Sequence, residues 1–367
     1  MTTFAPAPGA ETAQAPRLRD RVRRLAELAV TPLVPGDYLD LFDPLRAGAD
    51  LRARVVAVEP ETADAATVVL KPGKDWAGHV PGQYVRIGVD VDGVRQWRAY
   101  SLTSHRARPD GCIAITVKAI PDGKVSTHVV RRLRPGTVVH LDQATGDFVL
   151  PTPRPAKVLF VTAGSGITPV MGMLRNQLHE LEDVVLVHSA PTAEDVVFGP
   201  ELRVLAAADN LRLVELHTDA DGMLDAARLA ELVPDLAERE TWACGPAGLL
   251  ELLEEEFDAR GIAARLHTER FRPTVVVAGE GGTVTFARTG TTVEGDGATT
   301  ILDAAEEAGV LMPSGCRMGI CFGCVLPLRE GAVRDLRNGE VTTAVPGDGV
   351  LVQTCISAAA GPCEIDH

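Results

Sequence analysis

Pro313-Ser314-Gly315-Cys316-Arg317-Met318-Gly319-Ile320-Cys321-Phe322-Gly323-Cys324 sets three cysteines at C-x4-C-x2-C spacing. A fourth, Cys355, follows far downstream in Gln353-Thr354-Cys355. Three thiolates from one loop and one from elsewhere suit a [2Fe–2S] cluster, with two protein sulfurs on each iron. Gly315, Gly319 and Gly323 let the backbone turn tightly around a bulky inorganic core and bring N–H groups towards its sulfurs. A zinc site would more often show two C-x2-C pairs, and only one is present. A disulfide framework belongs to small secreted chains. Cys316, Cys321, Cys324 and Cys355 are therefore the expected metal ligands. Such a cluster passes one electron at a time and does no substrate chemistry. The rest of the chain should show where the electrons enter.

The chain has 367 residues and 46% hydrophobic content, enough for two or three domains with real cores. A formal net charge of −14 argues against a nucleic-acid partner, which would want a basic surface. It suits an acidic electron carrier that docks on a protein acceptor. No run of about eighteen apolar residues occurs, so no membrane span is expected. Met1-Thr2-Thr3-Phe4-Ala5-Pro6 lacks the basic-then-apolar start of a signal peptide. Cluster thiolates also need reducing conditions. The expectation is a cytoplasmic monomer, peripheral to a membrane at most through its partner.

Residues 1 to 16, rich in Ala, Pro and Thr, read as a disordered start. Arg17 to Val30 reads as a short amphipathic helix, and Thr31 to Asp50 as an extended arm. The arm's Tyr38, Leu39, Leu41, Phe42 and Leu45 are expected to dock on a domain surface. From Leu51 the texture is short β segments between Pro and Gly turns: 53–58, 66–70, 84–89, 112–119 and 137–141. That pattern predicts an antiparallel barrel or sandwich. From Lys157 strands and helices alternate, with strands at 158–161, 184–188, 211–217 and 241–244. Helices are expected at 169–182, 200–208, 225–232 and 246–260. Alternation of this kind gives a parallel sheet with helices on both faces. Residues 272–282 read as a linker into the cluster domain, which opens with a strand at 283–287 and has a helix near 301–308.

Three further segments carry chemistry. In Arg98-Ala99-Tyr100-Ser101-Leu102-Thr103-Ser104, Arg98 and Tyr100 share one face of a strand. There a guanidinium can pair with a pyrophosphate and a ring can lie against a flat heterocycle. Thr162-Ala163-Gly164-Ser165-Gly166-Ile167-Thr168-Pro169 joins a hydrophobic strand to a helix, with Pro169 read as the first helical position. Its glycines allow close approach to a pyrophosphate, and the helix start supplies N–H groups and positive potential. Cys244-Gly245-Pro246 ends a later strand, where ligands of doubly wound sheets bind. Cys112 and Cys363 read as structural, and His188 and His267 as packing residues.

The first of these segments resembles the flavin motif of the ferredoxin-NADP reductase superfamily. Pro81-Gly82-Gln83-Tyr84 is similar to that superfamily's preceding strand, and Gly123-Lys124-Val125-Ser126-Thr127 to its flavin-phosphate turn. The loop after Val161 resembles its nicotinamide-nucleotide loop, and Glu269-Arg270-Phe271 its terminal acidic-aromatic segment. The cysteine loop resembles that of plant-type ferredoxins, whose clusters sit near about −400 mV. The resemblance implies a multidomain protein: an antiparallel β-barrel, a doubly wound α/β domain and a β-grasp α+β ferredoxin domain. The boundaries expected are 1–50 for the extension, 51–153, 154–273, a linker at 274–282, and 283–367.

It further implies FAD, rather than FMN, on Arg98, Tyr100, Ser101, Thr103, Lys118, Gly123, Val125, Ser126 and Thr127. The nucleotide would lie on Thr162, Gly164, Gly166, Thr168, Pro169 and Ser189, with Cys244, Gly245 and Pro246 beside the nicotinamide. Glu269 would assist proton balance at the flavin, with Phe271 nearby. Tyr100, Ser101, Cys244 and Glu269 are the catalytic candidates. Phosphate-selecting relatives often place an Arg where this chain has Pro191, which favours NADH locally. The whole layout is most similar to actinobacterial NADPH oxidoreductases that feed a membrane acyl-CoA desaturase, which favours NADPH. A Rieske oxygenase, a cytochrome P450 or a diiron monooxygenase are the other acceptors implied. A redox-sensing module without turnover and a stand-alone diaphorase are the other function classes.

Overall fold

A computed structural model describes residues 42–91, 93–121, 123–271, 278, 280–315, 317–319 and 322–367. The expectations for residues 1–41, and most of the linker, lie outside them.

The first unit has six strands: β1 Arg52–Pro60, β2 Ala65–Pro72, β3 Tyr84–Val91, β4 Val94–Ser101, β5 Ile113–Lys118 and β6 Val138–Leu141. Their order is β4-β3-β6-β1-β2-β5, antiparallel throughout. A bridge between Leu102 and Ile115 joins the two edges, so the sheet closes as a barrel. Alternation drives this closure. Val55, Val68, Leu70, Val85, Ile87, Ile115, Val139 and Leu141 all turn inward and are almost fully buried. Helix α1 (Lys124–Arg131) plugs one end with Val125 and Val129.

The second unit is a five-stranded parallel sheet: β7 Lys157–Ala163, β8 Asp183–Ala190, β9 Leu211–His217, β10 Glu240–Cys244 and β11 Leu266–Glu269. The order β11-β10-β7-β8-β9 reverses direction between β7 and β10. Ligands of open α/β sheets bind at that switch point. Val158-Leu159-Phe160-Val161 is apolar without alternation because both faces are covered. Phe160 packs with Met171 and Leu174 of helix α2 (Ile167–Gln177) and Leu202 of helix α3 (Gly199–Leu205). The short helix α4 (Thr218–Asp221) follows β9. On the other face, Leu159 and Val161 pack with Leu229 of helix α5 (Ala226–Leu232) and Leu250, Leu253 and Phe257 of helix α6 (Ala247–Ala259).

The third unit is a mixed sheet of β12 Gly282–Phe286, β13 Thr291–Gly295, β14 Val325–Asp335, β15 Val341–Ala344, β16 Leu351–Gln353 and β17 Ser357–Ile365. β12 and β17 run parallel and the other pairs antiparallel. Helix α7 (Ile301–Glu307) lays Ile301, Leu302 and Ala305 on this sheet, and Thr300 caps it by accepting from the Asp303 N–H at 3.1 Å.

Three expectations need correction. Phe42 is 88% exposed and does not dock. The described part of the arm, residues 42–50, is tied by its main chain, with Lys74 N–H donating to Leu45 O at 3.0 Å and Gly48 N–H to Asp75 at 2.5 Å. Pro169 is the third residue of α2 and not the first, because Gly164–Gly166 forms a separate 3₁₀ turn ahead of it. β11, α4 and the strands β13 to β17 were not anticipated.

At the amino ends of the parallel strands, Arg239 is 5% exposed and binds both oxygens of Asp183, each at 2.9 Å. It also donates to Asp235 at 2.8 Å and to Val158 O at 3.2 Å. The Arg239 hydrogen bond holds Asp235 down at about 2. Arg239→Leu should lower stability by about 2 kcal/mol in urea unfolding, because it strands carboxylates that the guanidinium satisfies. Asp235 with a depressed pKa stabilises the fold above its ordinary value of 3.8, and that part is lost as pH falls towards 2. The variant should therefore lose less stability than wild type over that window.

Candidate functional site

The sequence candidates gather at the carboxyl ends of β7 and β10 and along the end of β4. In register, Glu269 stands opposite Cys244, Cys244 opposite Thr162, and Thr162 opposite His188. These four residues form one row across four strands, on one face of the sheet. Thr162 and His188 share a hydrogen bond at 2.8 Å. Burial pulls His188 down to about 4, so its ring is neutral. Burial pushes the Cys244 thiol well up, with Glu269 adding to it, which suits packing against a ligand and not nucleophilic attack. Burial also raises Glu269 to about 8, and its Oε2 has no partner among the described residues. His267 stacks on Trp242 at 4.6 Å and bonds Glu240 at 2.8 Å, a packing role. Cys112 and Cys363 are buried in their domain cores.

Gly164 opens the loop with φ 53°, and Thr168 Oγ1 closes its turn by donating to Ser165 O at 2.9 Å. Gly166 has no room for a side chain, since a Cβ there would lie 2.0 Å from Cys244 O. Gly245 packs against Ala163 and Leu249, and Pro246 caps α6. Ser189, one residue before the end of β8, is buried, and Phe271 is 37% exposed. The start of α2 thus lies at the switch point, where a helix N-terminus can take an anion.

On β4, Arg98 donates to Trp97 O at 2.7 Å and makes no ion pair among the described residues. Burial lowers its pKa to about 10, and Arg317 adds a like charge against it. Asp303 and Glu306 oppose that effect. Burial raises Tyr100 to about 12. Ser101 Oγ is buried and has no partner among the described residues. A desolvated guanidinium with no ion pair among the described residues and an orphaned hydroxyl on the same strand fit a bound anionic flavin nucleotide. Thr103 differs. Its hydroxyl is 3.3 Å from Ala114 O and 3.4 Å from Thr116, inside the protein. Lys118 is taken up by Asp64 at 2.7 Å. Gly123 precedes α1, where Ser126 Oγ accepts from Ile120 N–H at 3.3 Å, Val125 is core, and Thr127 is exposed.

In the third unit, Cys324 and Cys355 are 1% and 2% exposed. β14 begins after one and β16 ends before the other, and their pairing brings the two together. Thr354 locks the join, donating to Cys324 O from its N–H at 3.2 Å and its hydroxyl at 3.0 Å. Arg317, Gly319 and Phe322 all have positive φ, so the loop curls as a wrapped core demands. Arg317 is anchored to α7 through Asp303 at 2.7 Å and Glu306. Cys316 and Cys321 lie outside the described residues. Motif reading had missed the Arg317 anchor; a single Arg inside a cysteine loop gives no hint of its acidic partners.

A flavin-type barrel, a nucleotide-type parallel sheet and a cluster-type mixed sheet in one chain define an oxidoreductase of the ferredoxin-NADP reductase type with its own ferredoxin domain. Family models agree: an oxidoreductase FAD-binding domain matches residues 53–150, an oxidoreductase NAD-binding domain 160–255, and a 2Fe-2S iron-sulfur cluster binding domain 284–360. The chain is 50% identical to an NADPH oxidoreductase of Mycobacterium tuberculosis over 94% of its own length and 92% of the relative's. It is 30% identical to a glycine betaine monooxygenase reductase subunit of Pseudomonas aeruginosa, over 78% and 87%. Its fold matches phthalate dioxygenase reductase with a TM-score of 0.59 at 22% identity, over 86% of this chain and 97% of that one. The chain belongs to this family of flavin- and iron–sulfur-dependent NAD(P)H oxidoreductases, with FAD, a nicotinamide nucleotide and a [2Fe–2S] cluster as its cofactors. Among the described residues, no helix is long and apolar enough to cross a membrane.

A carboxyl group with a raised pKa holds a proton in the folded state that the unfolded chain gives up. Stability should therefore fall as pH rises from 4.5 through about 8 on account of Glu269. Melting temperatures between pH 5.5 and 8.5 should drop less steeply for Glu269→Gln than for wild type.

Proposed function

We propose that this chain passes electrons from NADPH through FAD and its own [2Fe–2S] cluster to an oxygen-activating partner, a membrane acyl-CoA desaturase. The observation that supports the electron order is the joining of an FAD-binding, an NAD-binding and a 2Fe-2S unit in one chain, with Arg317 of the cluster loop adding like charge to the buried Arg98 of the flavin strand. When bound, the nicotinamide supplies a hydride, two electrons with one proton, to the flavin, and the cluster accepts electrons singly.

In this reading Arg98 pairs with the flavin pyrophosphate, the Tyr100 ring lies against the flavin, and Ser101 Oγ donates to its polar edge. The turn from Gly123 holds flavin phosphate, and the Gly164–Gly166 loop with α2 holds nucleotide phosphate. Cys244 lines the nicotinamide pocket as an apolar wall. Glu269, protonated at pH 7, adds no charge beside it and keeps a proton at hand on its carboxyl. Cys316, Cys321, Cys324 and Cys355 hold the cluster.

NADPH is supported by the name of the mycobacterial relative. The loop after β8 supports NADH instead: it carries Glu194 and Asp195, and Arg203 nearby is held by Glu215 at 2.7 Å. The desaturase is supported by the layout and arm noted in the sequence. The named partners of two relatives, a glycine betaine monooxygenase and a 3-ketosteroid-9-alpha-monooxygenase, favour a second reading with an oxygenase as acceptor.

Stearoyl-CoA supplied with desaturase-bearing membranes, this protein and either NADPH or NADH separates these readings. Oleoyl-CoA formed only when the protein is present supports the desaturase, and the faster nucleotide identifies the donor. No product despite full reduction of flavin and cluster moves the acceptor to an oxygenase. Cys321→Ser should abolish cytochrome c reduction and spare ferricyanide reduction, which draws on the flavin directly. Equal loss of both would overturn the electron order.

A further inference from the structure

Helix α2 starts at the nucleotide loop and ends against the barrel, on the segment that follows Tyr100 and Ser101. Arg175 Nη1 donates to Thr103 O at 2.6 Å. Asn176 Nδ2 donates to Ser104 O at 3.0 Å, and Asn176 Oδ1 accepts from Arg106 N–H at 2.8 Å. One turn earlier, Gly172 meets the barrel backbone, and a Cβ there would lie 2.4 Å from Leu102 O. Arg175 is itself immobilised. Its other nitrogens bind both oxygens of Glu201 at 2.8 and 2.6 Å, and its guanidinium lies 4.7 Å from the centre of the buried Phe198 ring. Phe198 holds that position in a left-handed conformation, φ 62°, at the start of α3.

We propose that Arg175, Asn176 and Gly172 are positioning residues for hydride transfer. They fix the distance between the nucleotide loop at one end of α2 and the flavin strand at the other. None of them is among the residues assigned to either cofactor. They act through the rigid helix and through the main chain of residues 102–106. The inference rests on the assignment of flavin and nucleotide to these two elements. A displacement of about 1 Å between reacting groups is enough to cost about a hundredfold in rate. Lysine at 175 keeps the charge and cannot span Thr103 O and the Glu201 carboxylate together.

The test compares wild type with Arg175→Lys, Asn176→Ala and Gly172→Ala, all loaded with FAD and cluster. Rapid mixing with NADPH reads the rate of flavin bleaching and the long-wavelength charge-transfer absorbance of the nucleotide–flavin pair. Flavin content and the nucleotide Kd are measured on the same samples. The expected result is full flavin content, a Kd within about threefold, and bleaching slowed about 10- to 100-fold with a weaker charge-transfer band. Where Gly172→Ala fails to fold, the other two variants decide. Unchanged band and rate in those variants, or a rate that falls only in step with lost flavin, overturns the clamp. Wild type that keeps FAD but is bleached by neither NADPH nor NADH overturns the underlying assignment, and the clamp with it.

Discussion

At the switch point of the parallel sheet, two main chains pass so closely that no side chain fits between them. Gly166 sits against the carbonyl of Cys244, where a methyl group would overlap it. This contact ties the loop after β7 to the end of β10 and sets where α2 begins. From there the direction of α2 follows, and with it the meeting with the barrel at Leu102 to Arg106. The three chemical regions of the chain therefore share one mechanical origin, a strand end that tolerates only glycine beside it.

Electrostatics divides the parallel sheet in two. Its amino ends carry dense ion pairs, Arg239 with Asp183 and Asp235, and Lys157 with Asp235 and Glu238. The carboxyl ends of β8, β10 and β11 carry titratable groups that burial keeps neutral: His188, Cys244 and Glu269. A pocket floor without charge of its own leaves the electrostatics to the ligands and to the helix start above it. On the barrel side the arrangement reverses. Arg98 keeps a cation in a partly desolvated place, and the acidic residues around it belong to α7 and are engaged by Arg317.

Much of this was legible in the sequence, for physical reasons. Glycines before a helix, an Arg and a Tyr two apart on a strand, and a C-x4-C-x2-C loop are local patterns. Local geometry alone decides them. Most strands of the barrel and of the parallel sheet were legible because period 2 and unbroken apolar runs mark one-sided and two-sided burial. β11 was missed because Leu-His-Thr-Glu is short, half-buried and at the sheet edge, where burial leaves no pattern. The pairing of Lys118 with Asp64 was not legible, because it joins residues far apart in the chain. Phe42 was read as docked because an aromatic in an arm usually has a surface to cover; here it is exposed, and main-chain bonds at Leu45 and Gly48 tie residues 42–50 to the barrel. The grip of α2 on the barrel was not legible at all. On one side it consists of carbonyls and an N–H, which every residue carries.

That last feature bears on how the chain can change over generations. Since the barrel offers main-chain atoms to α2, the joint itself makes no use of the side chains at Thr103, Ser104 and Arg106. Selection on the joint falls instead on three positions of one helix and the groups that hold Arg175. A nucleotide-binding unit carrying those positions could be recombined with a barrel of quite different sequence and still seat at the same angle. Shuffling of whole units, with little resemblance left between the barrels, is what such an asymmetric joint permits.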